Sequence, residues 1–263
     1  MIELKNINNC YQGIRMDENG KVYRKKISQI VYTWNEDKQQ FTVSLAPWYK
    51  EFLKKNRLVA YLKEADIPES ILDYDVKTYI GPDKEENIKA LQSYIEEYKN
   101  YKGHCIFFVG KPGTQKTTVS WWVARELISQ SFIVKYILMN DLIKMLQAES
   151  FDDTIDYVDD YFQCDLLIID RVFQKDQVTL YKSGYQIAFL DNFLRKRVDQ
   201  MGKGILFISN TPLDEIAGQG FNADIEDFVR RKTVNTVFEF KDRYTLKDDF
   251  PIGNIFKNLS VKD

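Results

Sequence analysis

Metal-binding residues are scarce in this 263-residue chain: histidine occurs once, at His104, and cysteine three times, at Cys10, Cys105 and Cys164. No two cysteines stand in C-x-x-C spacing, so a zinc site is not expected, and cysteines inside apolar strand-like runs fit a reducing compartment. Proline (6) and glycine (12) are too few for a low-complexity or collagen-like chain. No apolar run approaches the roughly 20 residues of a membrane span, and the N-terminus carries no signal-peptide pattern. A soluble, cytoplasmic protein with no membrane contact is therefore expected. The formal net charge is only −2, which argues against coating nucleic acid by bulk charge and leaves room only for a local basic patch. What the chain does have is 44% apolar residues, enough to bury a large core.

The pattern changes along the chain. Ile27–Trp34 and Gln40–Leu45 alternate and are rich in β-branched and aromatic residues, with the polar Asn35–Lys38 between them, which reads as a hairpin. Pro47 ends the second run. Trp48–Lys63 reads as a helix broken at Ile67-Pro68, and Lys84–Tyr98 as another, with Asp83 as its cap. From Gly103 onward strands and helices alternate. Strands are expected at His104–Val109, Phe132–Leu138, Asp165–Ile169, Gly204–Ile208 and Thr236–Phe240. Helices are expected at Lys116–Gln130, Asn140–Gln147, Thr154–Phe162, Tyr185–Gln200 and Asp224–Lys232. Unbroken apolar runs such as Leu166-Leu167-Ile168-Ile169 belong to strands buried on both faces, hence to a parallel sheet between helical layers. The expected domains are an N-terminal extension of mixed β and helix (1–55), an α/β domain (56–245) and a C-terminal tail (246–263), with no room for a helical lid after 245.

Between the first core strand and its helix lies Gly110-Lys111-Pro112-Gly113-Thr114-Gln115-Lys116-Thr117-Thr118. This meets the phosphate-binding pattern G-x-x-x-x-G-K-[ST] except that Gln115 stands where the second glycine belongs. Gly110 and Gly113 allow a loop whose N–H groups point inward at phosphate, and the start of the following helix adds its positive end. Lys116 supplies a charge for the β- and γ-phosphates, and Thr117 a hydroxyl for Mg²⁺. If the backbone of a glycine is kept at Gln115, its Cβ costs about 1–2 kcal/mol, near tenfold in affinity; the alternative is a relaxed loop that no longer binds.

Some fifty residues on, Asp165-Leu166-Leu167-Ile168-Ile169-Asp170-Arg171 reads as a Walker B strand, with Asp170 placed to hold Mg²⁺. The next position ordinarily carries a carboxylate that activates water. Here it is Arg171, which cannot accept a proton; it could instead hold the γ-phosphate or contact a neighbour. A third strand, Gly204–Ile208, runs into Ser209-Asn210-Thr211-Pro212, where Asn210 is the candidate γ-phosphate sensor and an Asx turn before Pro212 the plain alternative.

Together these motifs resemble the AAA+ ATPases of the replicative helicase-loader group and their relatives, the transposition helper ATPases. The likeness runs over roughly residues 57–245 and includes Ala65-Asp66-Ile67-Pro68-Glu69 followed by Tyr79-Ile80-Gly81, similar to the family's opening segment. It implies a three-layer α/β/α core around a central parallel sheet, binding of ATP and Mg²⁺, and work in DNA replication beside a replicative helicase or another replication or recombination protein. Contact with single-stranded DNA and ATP-dependent assembly of identical subunits are also implied. Within Asp227-Phe228-Val229-Arg230-Arg231-Lys232, Arg230 (alternately Arg231) resembles the arginine that reaches a neighbouring subunit's nucleotide. Lys116, Asp170, Asn210 and Arg230 are thus the candidate catalytic residues. Hydrolysis is expected to be weak or absent. Cys10–Ile14 and Asp17–Lys21 faintly resemble the start of the loaders' zinc module, of which only Cys10 is kept.

Two other functions stay open: a DNA-stimulated ATPase assisting a transposase, and a non-catalytic interaction protein on the same scaffold. Smaller features read more plainly. Arg24-Lys25-Lys26 and Arg195-Lys196-Arg197 are read as solvated basic faces, and Asp152–Asp160 as an acidic stretch that repels DNA. Val119, Trp122, Val123 and Leu127 trace a core stripe, Trp121 is assigned to packing rather than to a nucleotide base, and His104 to structure.

Overall fold

The computed structural model describes residues 14–16, 22–24, 30–35, 40–79, 84–101, 103–149, 158–174, 185–219, 221 and 223–241. The chain divides into two compact units, Met1–Ala60 and Tyr61–Asp263. In the first, β1 (Ile14–Met16) pairs antiparallel with β2 (Val22–Arg24), and β3 (Ile30–Asn35) with β4 (Gln40–Leu45). The second pair is in register from Ile30 opposite Leu45 to Asn35 opposite Gln40, the hairpin the alternation predicts. Pro47 does more than end β4. It opens α1 (Pro47–Glu64), where a fixed φ and a missing N–H carry no penalty. The Cys10, Asp17–Lys21, Lys25-Lys26, Asp83, Asp152–Asp156 and 246–263 readings lie outside the described residues.

The second unit is built on five parallel strands in the order β6-β7-β8-β5-β9: β5 (Ile106–Gly110), β6 (Val134–Leu138), β7 (Leu166–Val172), β8 (Gly204–Ser209) and β9 (Val237–Phe240). Its helices are α2 (Lys84–Glu96), α3 (Lys116–Ser129), α4 (Met139–Glu149), α5 (Asp159–Gln163), α6 (Tyr185–Arg195) and α7 (Ala223–Lys232). This is the α/β core around a central parallel sheet that the sequence predicts. The alternation of a strand explains its two faces. Phe107, Ile137, Leu167, Ile169, Ile205 and Phe207 join one core cluster, which also takes side chains from α4, α6 and α7. On the other face Ile106, Phe108, Leu166, Ile168 and Leu206 are buried, and α3 packs there against β5, β6 and β8. The α3 stripe Val119, Trp122, Val123 and Leu127 is buried as its spacing predicts.

Several boundaries move. β5 begins at Ile106, because His104 is exposed and turns back on Tyr101, whose carbonyl accepts its backbone N–H at 3.0 Å. The long helix predicted to Gln200 changes to a π-helical turn at Lys196–Gln200. The predicted solvated face at 195–197 is overturned at Arg197, while Lys196 is exposed and Arg195 half-buried. Arg195 bonds Asp191 at 2.9 Å, and Lys196 sits 4.5 Å from the centre of the Phe162 ring. Arg197 is wholly buried. Its guanidinium donates to the carbonyls of Tyr161 (2.6 Å), Phe162 (2.7 Å), Cys164 (3.0 Å) and Gly204 (3.1 Å), tying the start of β7 to the start of β8. The π-turn supplies the geometry, and the backbone carbonyls stand in for a carboxylate. Among the described residues no helix is long and apolar enough to cross a membrane.

Arg197→Ala removes a donor shared by four carbonyls, with the bonds to Cys164 and Gly204 buried. We expect a loss of about 3 kcal/mol or more in chemical denaturation; a change under about 1 kcal/mol would contradict this role.

Candidate nucleotide site

Three strand ends and one helix start converge on a single cleft of about 580 Å³. The loop after β5 contributes Gly113, Gln115, Lys116 and Thr117; Asp170 and Arg171 come from the end of β7, and Asn210 from the residue after β8. This is the open end of a parallel sheet, where the carboxyl ends of strands leave a crevice. The sequence-predicted loop, Walker B and sensor residues are brought together. Arg230 is not among those lining this cleft; it lies on α7, half exposed, paired with Glu226 at 2.8 Å.

The loop is tightly determined. Gly110 lies against β9, and a Cβ there would collide with the Phe240 carbonyl oxygen. Its glycine therefore serves sheet packing as well as loop closure. Gly113 has φ +83°. Gln115 has φ +64° and ψ +12°, so the left-handed backbone is kept in spite of the side chain. Its side chain does not cap α3, and the first turn holds no acidic residue, so the positive helix end faces the cleft uncompensated. Lys116 Nζ spans the inside of the loop, donating to the carbonyls of Gly110 (2.7 Å) and Lys111 (2.9 Å) and to Thr114 Oγ1 (3.3 Å). Burial pushes this amine down to about 8, the nearby Asp170 charge opposing the shift.

Asp170 is buried, and every donor around it is aimed. Thr117 Oγ1 and the Tyr136 hydroxyl each donate to Oδ2 at 2.8 Å, and the Arg171 backbone N–H to Oδ1 at 2.6 Å. Tyr136 reaches it because β6 and β7 are parallel with Ile168 beside Tyr136 and Leu138 beside Asp170, which puts Tyr136 and Asp170 on one face two residues apart. Burial, with the Asp170 charge second, drives the Tyr136 phenol well above its ordinary range, so it stays a donor. Thr117 and Asp170 form an all-oxygen donor pair of the hard kind that suits Mg²⁺, adjoining a phosphate-shaped loop. The residues present therefore fit a Mg-nucleotide.

A register break falls between Ile169 and Val172. Successive strand residues face opposite ways, yet Asp170 and Arg171 both line the cleft. The break and a left-handed Arg171 (φ +56°) account for this; Phe173 (φ +60°) completes the turn. Ser209 Oγ and Thr211 Oγ1 then donate to the carbonyls of Val172 (2.9 Å) and Phe173 (3.0 Å), which holds the bulge and aims Asn210 at the cleft.

Two wall residues escaped the sequence reading. Trp121, assigned there to packing, lines the cleft and meets Tyr136 edge-on at 5.7 Å. Its position one helical turn after Thr117 was the available signal. Tyr136 had none, since the register of β6 on β7 is a tertiary fact.

No protein-family model matches the chain, and no curated protein does. Solved structures do match. A DNA replication initiation factor is 18% identical over 72% of this chain and 56% of its own, with a TM-score of 0.51. AMPPCP-bound DnaA from Aquifex aeolicus is 16% identical over 72% of this chain and 57% of its own (TM-score 0.52). A proposed primosome component from Streptococcus pyogenes is 14% identical over 70% of this chain and 96% of its own (TM-score 0.52). The chain spans a little over half the length of the first two. At these identities the likeness shows the fold.

Two outcomes are expected. Gln115→Gly relieves a left-handed side chain worth about 1–2 kcal/mol but adds unfolded-state entropy, so stability should stay equal or rise by up to about 1 kcal/mol on denaturation; a clear loss would mean that the amide has another structural role. For Lys116, the unfolded amine holds its proton to 10.5 and the folded one to about 8. Between those values the unfolded chain binds more protons, so this residue's contribution to stability rises with pH, and below pH 8 its penalty is constant. The stability difference between the ligand-free wild type and Lys116→Met should follow that slope; a flat difference from pH 8 to 10.5 would refute it.

Proposed function

We propose that this chain binds Mg-ATP in the α3–β7 cleft and uses it as a conformational or assembly signal in DNA replication, hydrolysing it slowly or not at all. The observation that carries this is the junction of a P-loop, an uncapped helix start and a buried aspartate, with Arg171 in the place of the water-activating acid. The loop N–H groups and Lys116 hold the phosphates, and Thr117 with Asp170 would hold Mg²⁺. The ion would supply charge neutralisation for the phosphate tail. Asp170, already held by three donors, stays fixed as an acceptor, and among the described residues no second carboxylate lines the cleft beside it to take a proton from water. A nucleotide that persists can act as a signal.

The replication setting is supported by the fold shared with the replication initiation factor, DnaA and the primosome component. In this reading the extension over residues 1–55 engages a replicative helicase or another replication or recombination protein. Arg230 completes the nucleotide site of a neighbouring copy. Its exposure, and its place away from the lining of its own cleft, support that role. Single-stranded DNA would be met by the assembled form, as Arg195 is paired with Asp191 and Arg197 is buried on backbone carbonyls.

Thermal unfolding tests the reading. Mg-ATP at about 100 times its Kd should stabilise the protein by about 2.7 kcal/mol, a shift of several degrees, and Lys116→Ala should abolish it. Turnover should fall below the ~1 s⁻¹ at the low end of typical enzymes. An unchanged melt would sink nucleotide binding; ordinary turnover, lost in Lys116→Ala, would sink the signalling role.

A further inference from the structure

We propose that Arg171 makes this a triphosphate-selective site: its guanidinium grips the terminal phosphate and sets the preference for a nucleoside triphosphate over the diphosphate. This rests on the nucleotide reading above and adds the residue that tells the two ligands apart. The first support is placement. The sheet order puts β8 between β7 and β5, so Arg171 and the P-loop stand on opposite sides of Asn210, all three lining one cleft. A loop of this kind cradles the inner phosphates. Arg171 follows Asp170, whose carboxylate meets Thr117 at 2.8 Å, so it stands beside the pair that would hold Mg²⁺ and the outer phosphates, and a diphosphate lacks the terminal one.

The second support is the backbone. Strand alternation would turn Arg171 away from the side that Asp170 faces. A left-handed conformation at φ +56° keeps both side chains on the cleft. Such conformations are strained for a bulky residue and gather at ligand sites. Ser209 and Thr211 hold the distorted carbonyls, so the bulge is built in.

The third is charge. Among the described residues, Lys116 and Arg171 are the cationic side chains on the cleft wall and Asp170 the acidic one. A planar guanidinium matches two oxygens of a phosphate, and the third charge of a triphosphate tail is what this second cation suits. The same side chain cannot take a proton from water. The substitution that removes hydrolysis thus provides recognition.

The test compares Mg-AMPPCP and Mg-ADP affinities by titration calorimetry for the wild type, Arg171→Gly, Arg171→Lys and Lys116→Ala. Glycine removes the charge and suits the left-handed backbone, so misfolding is checked by a ligand-free melt no lower than wild type. The wild type should prefer AMPPCP. Arg171→Gly should cut that preference about tenfold, the loss expected for one charge-assisted contact, with ADP affinity little changed. Arg171→Lys should restore part of it. Lys116-dependent binding of both nucleotides with a preference indifferent to Arg171→Gly would overturn the proposal alone. No Lys116-dependent binding of either would overturn the nucleotide reading and this proposal with it.

Discussion

The site depends on where one buried carboxylate points. Asp170 takes a hydroxyl from α3, a phenol from β6 and a backbone N–H from its own bulge. Three separate parts of the chain are thereby fixed around one side chain. Burying an anion is costly unless its lone pairs are satisfied, and the low dielectric makes each satisfied bond stronger. The carboxylate therefore stays in one orientation and holds the helix start, the edge strand and the β7 bulge in register. Without it the phosphate loop would face an unorganised wall.

The surrounding fold keeps that point rigid. Beneath the opposite end of the sheet, Arg197 ties β7 to β8 through backbone carbonyls. On the other side of the loop, Gly110 lets β9 lie directly against β5. Arg125 anchors the 3₁₀ turns before α2, donating to the carbonyls of Ile71 (2.7 Å) and Tyr74 (2.8 Å). Two of the left-handed residues stand where the ligand would sit. Gln115 and Arg171 are both left-handed and both line the cleft, while the strands that carry them are regular up to those residues. The left-handed Gln115 corrects the idea of a relaxed loop: the neighbouring bonds of Lys116 and the start of α3 hold the geometry that glycine would adopt without cost.

Much of this was legible in the residues. Leu166–Ile169 announces a strand buried on both faces because every position is apolar, and it is one. The loop between Gly110 and Thr117 is legible because phosphate binding demands small residues, a lysine and a hydroxyl at fixed spacing. Arg195-Lys196-Arg197 misled because charge counts as solvated by default. A sequence does not show that backbone carbonyls will gather around one guanidinium. Trp121 misled because its apolar bulk predicts packing, which it does perform against Tyr136 while also forming the cleft wall.

Residue type and local spacing alone specify the parallel α/β core and the glycine- and lysine-bearing loop between Gly110 and Thr117, and place Arg171 after Asp170 at a strand end. Only the tertiary structure decided that Tyr136 reaches Asp170, that Asp170 and Arg171 share one side of the sheet, and that Arg197 is interior. The physical reason is the same in each case. Local pattern sets the period of a strand or helix, but which faces meet depends on inter-strand register and on a bulge, and both arise only when distant segments bury one another.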